Sequence, residues 1–442
     1  MDTIIALTTP PGRSGVAVLR ISGDRAIVYL GCLIAEQDPQ TLLPRNLFLR
    51  SLYDENGDVF DKAIVSVMPG PNSFTGEDVV EIMCHGNPII IDAVINRMIS
   101  FGARPARPGE FSRRAVEHGK VTLLQAEALN GLIHAVSLSG VALAQKGLSG
   151  SVDHNEQELR EELLDICAEL EARMDYPQED LSYESDTELA EKLLSLGECA
   201  KSASSSWKGN RIQLEGAKVA IIGPVNAGKS SLFNHLVGSH RAIVSDQPGT
   251  TRDVVERRVV QQGVDICYFD TAGFRDRSQD NIELEGMAMG LSLASSADLV
   301  LMVFPVWSSQ QELELLSSKI NSSKLVVATQ CDTGSAQFNC DIECSSITET
   351  GIDDLKNAII AKLSDAVTHA QRWTALSHRQ QQLFWSVGEH LERAKGALIG
   401  LAGPVVAAEE LTQALERLSE LRGDDARESV LDRLFSKFCI GK

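Results

Sequence analysis

The sequence has no run of about 18 apolar residues, the length at which an α-helix can cross a bilayer, so we expect no membrane-spanning segment. No basic stretch followed by an apolar segment stands near the first residues, so we expect no secretory signal. The nine cysteines include no C-x-x-C pair, and Cys340 and Cys344, the closest two, lack the His or Cys partners of a zinc site. We therefore expect reduced thiols and a cytoplasmic location.

Positive charge is scarce. The chain has 41 Lys and Arg against 61 Asp and Glu, which gives a formal net charge of −20. A field of this sign repels phosphate backbones at long range, so the surface as a whole is not expected to bind nucleic acid. A local basic patch or a partner protein can still present RNA to the chain.

Length and patterning predict a multidomain protein of mixed class. A chain of 442 residues is too long for one ordinary core. Short apolar runs at residues 15–21, 63–68 and 79–83 predict strands, and residues 88–99 have helical spacing. We therefore expect an α+β domain over residues 1–117.

The middle of the chain changes to helical periodicity. Leu159, Leu163, Ile166 and Leu170 recur at intervals of three and four, with acidic residues between them. These acidic faces are either solvated surface, which we favour, or a binding face. A serine-rich stretch at residues 202–206 suggests a linker. We expect a first helical part over residues 118–210.

Strand and helix signals alternate over residues 211–371, which predicts a doubly wound α/β domain. Helical periodicity returns over residues 372–442. A compact α/β domain inserted between two helical parts is the simplest interpretation.

Residues 223–230 (GPVNAGKS) fit the P-loop pattern G-x-x-x-x-G-K-[ST], after a predicted strand and before a predicted helix. Backbone N–H groups of such a loop surround phosphate oxygens, and the helix N-terminus adds partial positive charge. Lys229 is expected at the β- and γ-phosphates and Ser230 at Mg²⁺. The alternative, a chance glycine-rich turn, fits this context poorly.

Three further short motifs follow in the order that a GTPase requires: residues 249–253 (GTTRD), 270–273 (DTAG) and 329–332 (TQCD). Thr251 is expected to complete the Mg²⁺ shell, Asp270 to hold Mg²⁺ through water, and Gly273 to sense the γ-phosphate. Asp332 is expected to accept hydrogen bonds from guanine N1–H and its 2-amino group. The predicted GTP-binding residues are Asn226, Ala227, Gly228, Lys229, Ser230, Ser231, Ser245, Asp246, Gln247, Pro248, Gly249, Thr250, Thr251, Asp270, Thr271, Ala272, Gly273, Thr329, Gln330, Cys331 and Asp332.

Two departures from the usual GTPase pattern are visible. Thr329 and Gln330 replace the Asn-Lys of the base-reading motif Asn-Lys-x-Asp, so we expect guanine preference with weakened affinity. Phe274 stands where Ras-like enzymes place a glutamine that orients water, so another group must supply that function.

At the level of the whole chain the sequence resembles the MnmE (TrmE) family of tRNA-modifying GTPases. The segments that carry the resemblance are residues 9–13 (TPPGR), 19–23 (LRISG), 71–78 (PNSFTGED), 85–86 (HG), 107–112 (RPGEFS), 125–128 (QAEA) and 438–442 (FCIGK). The last is the most specific.

The resemblance implies an N-terminal domain that dimerises and binds a one-carbon carrier of the 5-formyl- or methylene-tetrahydrofolate type, a helical domain, and an inserted Ras-like P-loop GTPase domain. It further implies an FAD-containing partner, MnmG, which forms a heterotetramer with the chain and through which the tRNA binds. Together the two proteins add a (carboxymethyl)aminomethyl group at C5 of the wobble uridine. By motif position the folate contacts fall on Arg20, Glu77, Lys120 and Lys442. Outside the motifs, Arg20 and Lys120 would be taken as surface charges.

The resemblance also implies a bound K⁺ near the triphosphate, with ligands at Asn226, Ser245, Gln247 and Thr250; Mg²⁺ falls to Ser230 and Thr251. A cation there offsets the negative charge that develops in the transition state.

The implied catalytic residues, besides Lys229, are Glu283 and Cys439. Glu283 matches the glutamate that orients water, although a solvated glutamate at a helix start is an equal alternative. Cys439 is either a reactive thiol near the folate or a small apolar residue packed in a core.

A rival hypothesis is a ribosome-assembly GTPase that acts as a switch without modification chemistry. Such a protein is expected to carry a basic RNA-binding module, for example a KH domain with a G-x-x-G loop. The flanks here are acidic or carry the FCIGK tail. We therefore favour the GTP hydrolase coupled to tRNA modification.

Overall fold

The computed structural model of the protein describes seven stretches of the chain: residues 2–35, 42–175, 184–238, 255–270, 292–364, 374–423 and 428–441. The chain divides into two compact units, Met1–Ala126 with Ser419–Lys442, and Glu127–Leu418. Within the described stretches, no helix combines the length and apolarity that crossing a membrane requires. The finer division at residues 117, 210 and 371 stays a prediction.

The strands form two sheets. The strands are β1 (Ile4–Leu7), β2 (Ser14–Ser22), β3 (Phe48–Tyr53), β4 (Val59–Met68), β5 (Val79–Gly86), β6 (Arg104–Pro105), β7 (Ala217–Ile222), β8 (Val255–Gln261), β9 (Val264–Asp270), β10 (Leu299–Pro305), β11 (Lys324–Thr329) and β12 (Ile342–Cys344).

The helices lie between these strands and after the last of them. They are α1 (Ala26–Ile34), α2 (Pro88–Ser100), α3 (Glu110–Glu117), α4 (Leu123–His134), α5 (Leu138–Leu148), α6 (Ser151–Asp175), α7 (Asp186–Glu215), α8 (Lys229–Val237), α9 (Gln310–Ser317), α10 (Ile352–Ser364), α11 (His378–Ile399), α12 (Gly403–Arg422) and α13 (Glu428–Phe435).

The first unit is built on the sheet β3-β4-β5-β2-β1-β6, in which only the β1–β6 pair is parallel. Ala17, Leu19 and Ile21 alternate with less buried residues along β2 and pack in the core beneath α1 and α2. The three strands and the helix predicted here are confirmed, each a few residues longer than its pattern. The α+β class of this unit is confirmed.

The helical part of the second unit centres on α7 and α11, which pack along each other. Leu189, Leu193 and Leu196 form the buried face of α7, at the spacing that predicts a helix. The linker predicted at residues 202–206 is wrong, because that stretch lies inside α7. Ser206 Oγ donates to the carbonyl of Ala203 at 2.7 Å, so a serine there is satisfied within the helix.

The inserted sheet has the order β12-β11-β10-β7-β9-β8 and is parallel except for the β8–β9 hairpin. Every residue of β10 is buried, as expected for a central strand covered on both faces. In this sheet β7 has β9 as its neighbour on one side and β10 on the other, and the strand order reverses at this point. The carboxyl end of β7 is thus at the switch point where open α/β sheets bind ligands. The doubly wound prediction is confirmed.

Candidate functional site

The P-loop connects β7 to α8, and its backbone requires glycine at two positions. A Cβ at Gly223 would lie 1.9 Å from the carbonyl oxygen of Val303, so no side chain fits there. Gly228, with φ 78°, is the N-cap of α8, and no side chain caps that helix end. The start of α8 is therefore the positive end of a helix dipole, which favours an anion.

Lys229 begins α8 and turns back over the loop. Its Nζ donates to the carbonyl oxygens of Gly223, at 2.9 Å, and Pro224, at 2.7 Å. An ammonium held by two carbonyls can exchange them for phosphate oxygens. The adjacent Ser230 is exposed and can offer its hydroxyl to a metal ion. Both residues lie at the start of α8, and their roles at phosphate and Mg²⁺ stay predictions.

The base-reading segment lies against the P-loop. The hydroxyl Oγ1 of Thr329, at the end of β11, donates to the carbonyl of Ala227 (2.7 Å), with the Phe304 carbonyl as a second acceptor at 3.1 Å. Nε2 of Gln330 donates to the carbonyl of Asn226 at 3.2 Å. The two residues that depart from the usual motif thus contact the loop that holds phosphate.

Asp332 is held by a residue that the sequence analysis missed. Ser345, fully buried just after β12, donates its Oγ–H to Asp332 Oδ1 at 2.5 Å. Oγ of Ser345 in turn accepts the backbone N–H groups of Ile347 and Thr348 at 3.2 and 3.3 Å. Three contacts fix the hydroxyl, and the hydroxyl orients the carboxylate. A prediction that β11 and β12 pair in parallel would have found Ser345, because parallel pairing brings the carboxyl ends of the two strands together.

In the first unit, Arg20 of β2 lies among residues from two of the motifs. Its guanidinium donates to Glu81 Oε1 from Nε at 3.0 Å and from Nη2 at 2.7 Å. Its Cζ lies 5.7 Å from the ring centre of Phe74 and 5.9 Å from that of Phe111. A partly exposed, pre-oriented guanidinium suits a planar heterocycle or a carboxylate.

Glu77 is buried and engaged within the protein. Both of its oxygens lie 3.0 Å from Nη1 of Arg114, and Oε2 also accepts the hydroxyl of Ser22 at 2.7 Å. Its assignment as a folate contact stays a prediction. Folate binding there would require the Glu77 carboxylate to contact the ligand as well as Arg114. Lys120 is exposed, and its side chain lies along Gly76, where a Cβ would be 3.2 Å from Cε.

The C-terminal tail packs on the start of α3. A Cβ at Gly109 would lie 2.7 Å from the carbonyl oxygen of Phe435 and 2.9 Å from Cβ of Phe438. Gly109, with φ 65°, is the N-cap of α3, so glycine serves both the turn and the close approach. The RPGEFS and FCIGK segments, far apart in sequence, are therefore neighbours.

A second contact fixes the tail beside β1. A Cβ at Gly441 would be 2.5 Å from the carbonyl oxygen of Leu7. Cys439, between these two contacts, is exposed whereas Phe438 is buried. Packing in a core, one of the two alternatives for Cys439, is therefore wrong.

Comparisons with known proteins agree with this geometry. The family model of the GTP-binding protein TrmE N-terminus matches residues 3–120, and that of the MnmE helical domain matches residues 123–439. The tRNA modification GTPase MnmE of Myxococcus xanthus (strain DK1622) is 36% identical over 442 residues, which cover 100% of this chain and 99% of that protein. The chain belongs to the MnmE family.

Another MnmE relative, from Legionella pneumophila (strain Paris), is 35% identical over 459 residues, with 100% of both chains covered. The predicted enzyme class, a GTP hydrolase connected with tRNA modification, is thereby confirmed. Among solved structures, the G domain of the T. maritima FeoB iron transporter is 26% identical and covers 34% of this chain and 99% of its own. Its TM-score of 0.26 is too low to add to the argument.

Several predicted MnmE site residues lie outside the described stretches. They are Ser245, Asp246, Gln247, Pro248, Gly249, Thr250, Thr251, Thr271, Ala272, Gly273, Glu283 and Lys442. Asp270 is described by its backbone alone, which pairs in register with Ile221, one residue before the end of β7.

Proposed function

We propose that this MnmE-family chain is a potassium-stimulated GTPase that acts with an FAD-containing partner of the MnmG type. The two proteins would add a (carboxymethyl)aminomethyl group at C5 of the wobble uridine of certain tRNAs. The observation that carries the GTPase part is the P-loop, in which an uncapped helix end and Lys229 meet at the carboxyl end of β7. A cytoplasmic homodimer, joined by the partner in a heterotetramer, belongs to the same proposal.

In hydrolysis, this chain's own residues bind and orient the nucleotide. Lys229 would release the carbonyls of Gly223 and Pro224 and neutralise charge on the β- and γ-phosphates. Ser345 holds Asp332 ready to accept the guanine N–H groups. Glu283 would orient the attacking water.

The metal ions have oxygen donors in suitable places. Mg²⁺, which offsets charge on the phosphates, would be held by Ser230 and Thr251. Asn226, whose side chain is exposed at the loop, would hold K⁺ through its amide oxygen, with Ser245, Gln247 and Thr250. Hard oxygen donors of this kind fit both cations.

The one-carbon carrier would bind in the first unit near Arg20. Support comes from the guanidinium beside Phe74 and from the C-terminal tail, whose Gly441 contacts β1 one residue beyond Ala6, the cross-strand partner of Arg20. Lys120 and Lys442 would contribute positive charge for the glutamate tail of the carrier. Cys439 is exposed and so accessible to such a ligand.

The first experiment measures GTP hydrolysis in KCl and in NaCl at equal ionic strength. We expect faster hydrolysis in KCl, and a loss of at least about a hundredfold in Lys229→Ala because a charge contact to the transition state is removed. Lys319→Ala, which changes an exposed lysine of the same unit, is the matched control. Equal rates in the two salts would remove potassium from the proposal.

The second experiment tests the modification chemistry. Purified chain, partner, GTP, folate carrier and an amine donor are incubated with unmodified tRNA, and the wobble uridine is analysed by mass spectrometry. Cys439→Ser is expected to abolish the product while GTP turnover continues. A fully active Cys439→Ser variant would exclude the thiol from the chemistry, and a wild-type reaction without product would refute the modification step.

A further inference from the structure

Thr329 and Gln330 are the two positions at which this chain departs from the Asn-Lys-x-Asp pattern, and both donate hydrogen bonds to the P-loop. Oγ1 of Thr329 lies 2.7 Å from the carbonyl oxygen of Ala227. Nε2 of Gln330 lies 3.2 Å from the carbonyl oxygen of Asn226. Two consecutive P-loop carbonyls are thus held by two consecutive residues of the base-reading segment.

This arrangement determines the direction of two peptide N–H groups. In a trans peptide the C=O and N–H bonds point to opposite sides. Because the carbonyls of Asn226 and Ala227 face the base-reading segment, the N–H groups of Ala227 and Gly228 face the other way. The N–H of Ala227 donates to the carbonyl oxygen of Pro224 within the loop, at 3.4 Å.

The backbone at both ends of the contact needs such support. Asn226 has φ 62° and Gln330 has φ 63°, in the left-handed region that non-glycine residues rarely occupy. Thr329 is buried, and its carbonyl accepts the N–H of Val306 at 3.0 Å, so the donor side is anchored to the sheet. Thr329, anchored to the sheet, therefore supports a contact whose two ends, Asn226 and Gln330, both have left-handed backbone.

We propose that Gln330 is a positioning residue for the triphosphate: with Thr329, it orients the P-loop peptides at Asn226 and Ala227. The inference rests on the proposed GTP site and deepens it. The property that matters at position 330 is a hydrogen-bond donor that reaches the Asn226 carbonyl. Base selection remains with Asp332.

The test compares Gln330→Glu, which keeps shape but places an acceptor against a carbonyl, with Gln330→Lys, which keeps a donor. Gln330→Glu is expected to raise the KM for GTP, and the K⁺ concentration for half-maximal hydrolysis, by about three- to tenfold, the worth of one hydrogen bond. Gln330→Lys is expected to recover most of that loss. Gln337→Ala, an exposed glutamine in the same segment, is the control.

A second readout separates positioning from base contact. ITP lacks the 2-amino group, so the ratio of its KM to that for GTP reports the contact with Asp332. This ratio is expected to stay constant in Gln330→Glu and to fall in Asp332→Asn. Thermal melts confirm that the variants are folded, because a merely structural role would lower the melting temperature without moving the KM of the folded protein.

The outcomes distinguish failure of the inference about Gln330 from failure of the proposed function. If the wild type hydrolyses GTP and the KM of Gln330→Glu is unchanged, the inference is overturned and the proposed function stands. The same holds if the KM of Gln330→Lys is raised as much as that of Gln330→Glu. A wild-type protein without GTPase activity would refute both.

Discussion

At the scale of single residues, Ser345 orients the carboxylate of Asp332, the residue proposed to read the base. It lies 13 positions after Asp332, and its fully buried hydroxyl donates to that carboxylate while accepting two backbone N–H groups. A hydroxyl with all its contacts made cannot rotate away. Asp332, although exposed, is therefore pre-oriented for the guanine contact proposed for it.

Replacement of Ser345 by alanine should weaken guanine nucleotide binding. Loss of a hydrogen bond to a charged group is expected to raise the Kd for GTP by about tenfold. Fluorescence titration with a labelled GTP analogue measures the change, and Ser335→Ala, which removes an exposed serine hydroxyl, is the control. Equal affinity in the two variants would show that Asp332 needs no such support.

Glu110 makes the first unit sensitive to acid. Burial by itself would raise the pKa of this carboxyl, but hydrogen bonds from Arg104 and from the backbone of Arg107 outweigh it, so the pKa lies below its ordinary value of 4.5. Because the folded carboxyl binds its proton less readily than the unfolded one, this contribution to stability is present above about pH 4.5 and is lost as the pH falls through the folded pKa.

The lowered pKa of Glu110 leads to a prediction of how the stability of Glu110→Gln depends on pH. The variant is expected to be less stable than the wild type near pH 7, and the difference should shrink as the pH falls below about 4.5. Calorimetric unfolding of both proteins between about pH 7 and 3 measures it. A difference that is constant with pH would mean that the ionised carboxylate contributes nothing.

At the scale of elements, Glu127 of α4 joins the two helical parts that flank the inserted domain. Its carboxylate accepts Ser377 Oγ at 2.8 Å, Arg379 at 3.0 and 2.9 Å, and Gln380 Nε2 at 2.7 Å. All three donors lie at the start of α11, where the chain returns from the inserted domain. The side chain is 3% exposed, so this charge is paired inside the protein.

Glu127→Ala is expected to be strongly destabilising. Removal of Glu127 leaves the guanidinium of Arg379, whose side chain is 15% exposed, without its carboxylate, and the loss of one partner costs about 3–5 kcal/mol in buried pairs. Urea unfolding followed by circular dichroism measures this. Glu389→Ala breaks a more exposed pair with Lys201 and is expected to cost less than about 1 kcal/mol. Similar losses in both variants would contradict a special role for the α4–α11 contact.

At the scale of the whole molecule, the formal net charge of −20 bears on the affinity for tRNA. The general field opposes a polyanion, so we expect weak binding of tRNA by the chain alone and much tighter binding with the partner present. Fluorescence anisotropy of labelled tRNA, with and without the partner at about 0.15 M salt, measures both. Tight, salt-sensitive binding by the isolated chain would reveal a local basic site.

The sequence by itself determined the classes of structure and the order of the nucleotide motifs. Period-two alternation in β2 and three-to-four spacing in α7 are local properties, and the P-loop pattern is a local backbone requirement, as the close approach of Gly223 to Val303 shows. Local rules failed at residues 202–206, where serines are satisfied inside a helix whose buried face continues through them.

Only the tertiary structure decided which distant residues act together. Ser345 meets Asp332 because β12 pairs with β11, Gln330 meets Asn226 because β11 and β7 flank β10, and the C-terminal tail meets Gly109 because Phe435 and Phe438 pack there. Such contacts depend on strand order and on the direction of individual side chains. Neither property is encoded in the spacing of residues along one segment.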